Sequence, residues 1–213
     1  LTNEIENYTE AILVGEPTAE NKNFYGDTRP VQLPNSRITA NLSYAWWQDK
    51  PQWENKDWTI PHIAKTMRFE DYVHNKDVVL DAALNYTQTN FILDPGEHLR
   101  QLFIAGKFEE FKTTGFQLVH DPAYKYYDFE KEFADAGNRL ISIGNADGGM
   151  YILELVSEFY PKSVGALYNL ATSQEQLKQF DKARESYKKL IELEPHSILG
   201  QSAKKKLESL KEN

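Results

Sequence analysis

Residues 167–195 read LYNLATSQEQLKQFDKARESYKKLIELEP, and the spacing within this stretch decides the architecture. Leu167, Leu170 and Ala171, then Phe180, Ala183, Tyr187 and Leu190, recur at the three- and four-residue steps of an apolar face on a helix, and Pro195 follows. Moving back by 34 positions (167 minus 133) gives Phe133, Ala136, Gly137, Ala146, Gly149, Leu153, Val156 and Pro161. The large-small-small pattern and the proline recur in register. Small residues at 137/171 and 149/183 let two antiparallel helices approach closely. Each proline then ends the second helix, because it cannot continue the hydrogen-bond ladder.

The period and the pattern resemble the tetratricopeptide template, a repeat of helix pairs. The resemblance covers roughly residues 97–211. Upstream, Leu99 to Pro122 reads as a degenerate pair with Ala105-Gly106 at its turn, out of strict register. Ser197 to Leu210 resembles the solvating cap helix that such arrays carry at their ends. Asp147-Gly148-Gly149 is expected at a helix–helix turn. The alternative is an unrelated helical bundle.

The first half has another texture. Leu1 to about Thr9 reads as a helix and Ala11-Ile12-Leu13-Val14 as a short buried strand. The turn Gly15-Glu16-Pro17-Thr18 follows. Arg37 to Tyr44 alternates polar and apolar, as a half-buried strand does. Pro30, Pro34, Pro51 and Pro61 divide the remainder into short pieces. From Asp77, a helix cap, the periodicity turns helical through Val78, Leu80, Ala83 and Leu84. The expected class is therefore mixed α/β followed by an all-α tail. Asp94-Pro95-Gly96 is the expected inter-domain turn, giving domains 1–93 and 97–213.

Several segments of the first half resemble one family. Tyr8-Thr9-Glu10-Ala11-Ile12-Leu13-Val14-Gly15-Glu16-Pro17-Thr18 is similar to the helix–strand–turn that follows the catalytic serine in tail-specific and tricorn-type serine peptidases, which have a crotonase-like fold. Phe24-Tyr25-Gly26-Asp27, the strand Val31-Gln32-Leu33-Pro34-Asn35-Ser36, and Ser43-Tyr44-Ala45-Trp46-Trp47-Gln48 resemble a subgroup of them. Trp58-Thr59-Ile60-Pro61-His62-Ile63 stands where the family carries Glu-Pro-Asp-Ile. Phe69-Glu70-Asp71-Tyr72 and the helix from Asp77 close a match over residues 1–86. The resemblance implies the C-terminal part of a serine endopeptidase, inactive alone, whose nucleophile and oxyanion hole lie upstream of Leu1. It also implies a polypeptide substrate for the intact parent and a bacterial periplasmic or extracellular setting. Two catalytic candidates follow from it. Lys22, one residue after the position of the family's lysine base, is either that base or a loop lysine. Glu54, in Trp53-Glu54-Asn55, is either a carboxylate that orients the machinery or a surface group beside a tryptophan.

Composition limits the alternatives. The 213 residues carry net charge −8, which disfavours nucleic acid because backbone binding needs clustered Lys and Arg. The run Lys204-Lys205-Lys206 reads as the solvated face of a last helix. Without cysteine there is no disulfide, thiolate nucleophile or cysteine-based zinc site. His62, His74, His98, His120 and His196 have no ligand-like spacing, and no cofactor or metal is expected. No apolar run reaches the roughly 20 residues that span a bilayer. Asn7-Tyr8-Thr9, Asn41-Leu42-Ser43 and Asn85-Tyr86-Thr87 are formal glycosylation sequons. Trp46, Trp47, Trp53 and Trp58 suggest an aromatic cluster, either packed inside or set beside a cleft. The competing function is a non-catalytic interaction module that holds a protein partner on the helical repeats. Open sheet edges in the first half predict self-association.

Overall fold

The computed structural model describes residues 1–54 and 57–210. Asn55, part of the Trp53-Glu54-Asn55 motif, and the last three residues of the expected tail lie outside them. The chain divides into two compact units. The first takes Leu1–Leu93 and Pro122–Tyr127; the second takes Asp94–Asp121 and everything from Asp128 onward.

In the first unit α1 (Thr2–Tyr8) precedes β1 (Val14–Gly15). The hairpin of β2 (Phe24–Gln32) and β3 (Thr39–Trp47) follows, then β4 (Ile63–Ala64), α2 (Phe69–Val73) and α3 (Val78–Leu84). β1 pairs with β4 in parallel, Val14 opposite Ile63, and β2 pairs with β3 antiparallel, Phe24 opposite Trp47. Asp77 caps α3, its carboxylate accepting from the amides of Val79 and Leu80. Residues 122–127 join this unit through Tyr124, which stacks on Phe91 and exchanges hydrogen bonds with the backbone of Ile92. Among the described residues the buried apolar side chains here include Pro61, Ile63, Ala64 and Tyr124.

Several expectations are corrected at this point. The described residues make two separate two-stranded sheets, and a layered crotonase-like sheet is not shown among them. The Ala11–Val14 strand narrows to Val14–Gly15. The segment Val31–Ser36 is a strand only as far as Gln32, where the hairpin turns. Arg37–Tyr44 does alternate, and β3 contains most of it, but neither of its faces is covered. The four tryptophans do not cluster inside. Trp46 and Trp47 are neighbours on one strand and so project to opposite faces, and Trp53 is 85% exposed.

In the second unit every element is a helix. α4 (Pro95–Ile104) pairs with α5 (Phe108–His120), α6 (Phe129–Ser142) with α7 (Ala146–Phe159), and α8 (Val164–Gln176) with α9 (Phe180–Leu193). α10 (Ile198–Ser209) packs on α9 and α8. Helix starts follow from short polar side chains. Asp94, Asp128, Asn145, Ser163 and Ser197 each accept from the amide three residues on, satisfying a donor that has no partner within the helix. Asp94-Pro95-Gly96 is therefore the entry of α4 rather than a free turn, with the proline at the first helical position where its missing N–H costs nothing.

Helix ends repeat as well. In each pair the first helix closes on a residue in the left-handed region: Gly106 (φ 70), Gly144 (φ 91) and Lys178 (φ 60). The next amide reaches back to the carbonyl five residues earlier: Lys107 to Leu102, Asn145 to Leu140, Gln179 to Gln174. Asp147-Gly148-Gly149, expected at a turn, lies in the first turns of α7. Gly149 instead permits close helix approach: a Cβ there would stand 2.5 Å from the Gly137 carbonyl oxygen of α6. Ala171 and Ala183, one period later, are fully buried between α8 and α9.

Several aromatic and aliphatic centres make up the core of this unit. Phe111, Phe133 and Phe159 meet edge to face across α5, α6 and α7, at centroid distances of 5.9 and 6.0 Å. Leu167, Ala171, Ala183, Tyr187, Leu190, Ala203 and Leu210 join α8, α9 and α10.

Candidate functional site

The chemistry of the second unit sits where successive first helices meet. α6 packs on α8, and α8 on α10. Ser173 on α8 donates to the Asn138 carbonyl oxygen on α6 at 3.4 Å. Tyr168 on α8 and Ser202 on α10 share a hydrogen bond of 2.9 Å. Lys206 on α10 pairs with Glu175 on α8 at 3.1 Å. The second helices α7 and α9 are bridged by an exposed ion pair, Lys182 with Glu154, at 3.6 Å. The side-by-side first helices thus carry Asn138, Tyr168, Thr172, Ser202 and Lys206 along one row, all at least partly solvent-accessible.

Further hydrogen bonds and ion pairs hold these helices. Glu175 accepts from the Tyr187 hydroxyl at 2.8 Å on one oxygen and from Lys206 on the other. Burial pushes the Tyr187 phenol far above its usual range, and the hydrogen bond to the carboxylate adds to the effect, because both penalise the phenolate. Arg184 on α9 donates to the carbonyl of Leu210 at 2.8 Å, occupying a free acceptor at the end of α10. Ser186 and Gln174 form a buried bond of 2.8 Å between α9 and α8. On α6, Lys131 is paired with Asp135.

Of these row residues the sequence reading named Lys206 alone, as part of a solvated helix face, yet a signal existed for the others. Asn138, Thr172 and Lys206 stand 34 residues apart (172 minus 138, 206 minus 172), as do Ala134, Tyr168 and Ser202. The repeat that predicts the buried face also predicts this row, although Ala134 at its first position is buried.

The two candidates named from sequence lie in the first unit and are not brought together there. Lys22 donates from Nζ to both oxygens of Glu6 at 2.7 Å. Lys50 bonds the same carboxylate at 3.1 Å and also Asn7. Burial alone would raise the Glu6 carboxyl, but hydrogen bonds from Lys22 and Lys50 outweigh it and hold the group below its ordinary value. Asn3 donates to the Lys22 carbonyl and to Asp49, while fully buried Asn23 pairs with the backbone of Lys50. Lys22 therefore ties α1 to the base of the hairpin, with its ammonium engaged by Glu6. Glu54 ends an exposed turn of 3-10 helix, Gln52–Glu54. Among the described residues no group of three or more His, Asp or Glu side chains could hold a metal ion.

Comparison with known proteins bears on the helical part. The chain is similar to the solved structure of the first TPR of Spaghetti (RPAP3) bound to the HSP90 peptide SRMEEVD, with 15% identity over 55% of this chain and 88% of that chain and a TM-score of 0.35. No curated protein matches it. Neither finding gives the peptidase resemblance of residues 1–93 a counterpart. The family model of the tetratricopeptide repeat matches residues 164–197, the segment built by α8 and α9, and the chain thus carries a tetratricopeptide repeat at that position.

Proposed function

We propose that the helical unit is a protein-interaction module that holds an extended segment of a partner protein along the row formed by α6, α8 and α10. The observation that carries this reading is the side-by-side packing of the three first helices. It lines up the amide of Asn138, the phenol of Tyr168 and the hydroxyls of Thr172 and Ser202 at the spacing of the repeat. Neutral donors and acceptors in a row suit the backbone and polar side chains of an extended chain. Aromatic and amide groups of this kind bind at small conformational cost because the helices already hold them. The test is to pan a random peptide display library on the full chain, then titrate enriched peptides against wild type, Asn138→Lys and Thr172→Arg. At least about tenfold weaker binding by both variants is expected, equivalent to about 1.4 kcal/mol. Absence of enrichment, or equal affinity for all three proteins, overturns the reading.

A second reading concerns residues 1–93 as the C-terminal part of a serine endopeptidase, with Lys22 or Glu54 as accessory catalytic groups. The parallel pairing of β1 with β4, with the turn Gly15-Glu16-Pro17-Thr18 after β1, is the feature in keeping with it. Parallel strands need a crossover and normally belong to a larger covered sheet. Loss of casein hydrolysis by the intact parent on Lys22→Ala or Glu54→Gln, with the fold retained, would support it. Full activity in both variants removes these two residues from the chemistry.

A further inference from the structure

The hairpin of the first unit carries an alternation whose apolar side is bare. Residues directly opposite each other in an antiparallel pair share a face. Tyr25 with Trp46, Arg29 with Leu42, and Val31 with Ala40 therefore lie on one side, and Tyr44 falls between them on the same side of β3. The other side has Thr28 with Ser43, Pro30 with Asn41 and Gln32 with Thr39, and beyond these Gly26 with Ala45 and Phe24 with Trp47. From Thr28 to Gln32 the second side is thus mostly polar, and an apolar side backed by a polar one is the pattern of a sheet with one face buried. Yet Tyr25 is 72% exposed, Tyr44 61%, Leu42 57%, Val31 42% and Trp46 40%. With aromatic side chains offering roughly 150–250 Å² each, this face leaves about 600 Å² of largely apolar surface in water, the size of the largest patch a typical monomer shows.

We propose that a second copy of this chain covers it, the two hairpins packing face to face about a twofold axis. Two arguments select a copy of the chain over an unrelated partner. About 600 Å² from each side gives about 1,200 Å² in total, the lower end of what specific interfaces bury, and a twofold contact needs only one patch, used twice. The charges are also self-complementary along β2. Arg29, whose guanidinium lies 4.7 Å from the Tyr44 ring centroid, follows Asp27 by two residues on the same strand. A twofold axis passing between them sets each Arg29 beside the Asp27 position of the other copy. Flat aromatic rings meet flat aromatic rings, and the polar face remains in water.

The chain has no cysteine, so single thiols report the two faces without background. Leu42→Cys is placed on the apolar face and Ser43→Cys on the polar one, and maleimide labelling of each is timed across a concentration series of the full chain. Light scattering after size exclusion gives the mass in parallel. The expected result is a concentration-dependent dimer in which labelling of the thiol at 42 slows several-fold with concentration while that at 43 is unchanged. Leu42→Lys, a change at a side chain already exposed in the single chain, is expected to stay monomeric with the same circular dichroism spectrum. A monomer mass at every concentration overturns the proposal. So does a dimer that protects neither thiol or both alike, or one that persists in Leu42→Lys.

Discussion

Replacing Gly149 by alanine tests the close approach on which the helix pairs depend. In a solvated helix the change is favourable by about 1 kcal/mol, because alanine has the higher helix propensity. Here the new Cβ falls 2.5 Å from the Gly137 carbonyl oxygen, 2.5 Å from Ile141 Cγ1 and 3.1 Å from the Ile141 amide nitrogen. The Ile141 side chain can turn away, but two of these atoms are backbone. A carbon–oxygen contact relaxes to about 3.3–3.6 Å, so α6 must retreat by roughly 1 Å. That retreat loosens Ala134, Met150, Leu153 and Leu170, which pack at this crossing. Overpacking of a core costs about 1–3 kcal/mol, and with backbone on both sides the upper end applies. The net loss is about 2 kcal/mol, or roughly 5–10 °C in the melting temperature of a unit of this size. Thermal melts followed by far-ultraviolet circular dichroism measure it. Gly165→Ala is the control, since a Cβ there meets the flexible Glu130 carboxylate at 3.2 Å and Ser163 Oγ at 3.5 Å. If Gly149→Ala melts at or above the temperature of Gly165→Ala, the account of the close approach is wrong.

Lys178→Gly removes a side chain from the left-handed region that glycine occupies at 106 and 144, and should stabilise by about 0.5–1 kcal/mol; an unchanged or lower denaturant midpoint would count against strain at that turn. Tyr160 is pushed up to about 12, chiefly by burial and then by Glu130 and Asp128. Its protonated form is the folded one, so its contribution is intact below about pH 10, the ordinary tyrosine value, and is lost as pH rises towards the folded value. Tyr160→Phe should flatten the alkaline fall of the melting temperature, and parallel curves for the two proteins would exclude the effect. Glu6 has a lowered folded value, so its contribution is complete above its ordinary value and disappears as pH falls through the folded one. Glu6→Gln should melt lower than wild type near neutrality and converge with it in acid, as read by tryptophan fluorescence; a constant gap would mean that the carboxylate charge plays no part.

The helical unit was legible because two signals agree there. The 3.6-residue face and the 34-residue recurrence point to the same helices, and the polar caps Ser163 and Ser197 mark their starts in the sequence. The misreading of Asp147-Gly148-Gly149 comes from the two uses of glycine, which serves left-handed turns and also close contact. Gly144, one helical turn earlier, held the turn. In the first unit alternation identified β3, but alternation states only which side could be buried, and the bareness of that side depends on what else is present. Pro30 stood against a strand, yet in a two-stranded sheet each strand is an edge and tolerates a missing donor. Lys22 was read from a local polar loop, whereas its partner Glu6 is 16 residues away and was not paired with it from sequence. Glu175 and Lys206, separated by 31, escaped notice for the same reason. Side-chain partnership across such distances is settled by packing.

Tyr124 has a consequence for how the chain comes apart. It belongs to the first unit through Phe91 and Ile92 but is encoded between α5 and α6 of the second, so the polypeptide passes between the units three times, after residues 93, 121 and 127. No single cut releases both units whole: a cut after Leu93 takes the stacking ring and its hydroxyl from one product and leaves them stranded on the other. A designer who wants the repeats alone would do well to replace 122–127 with a short polar connector rather than trim from the front.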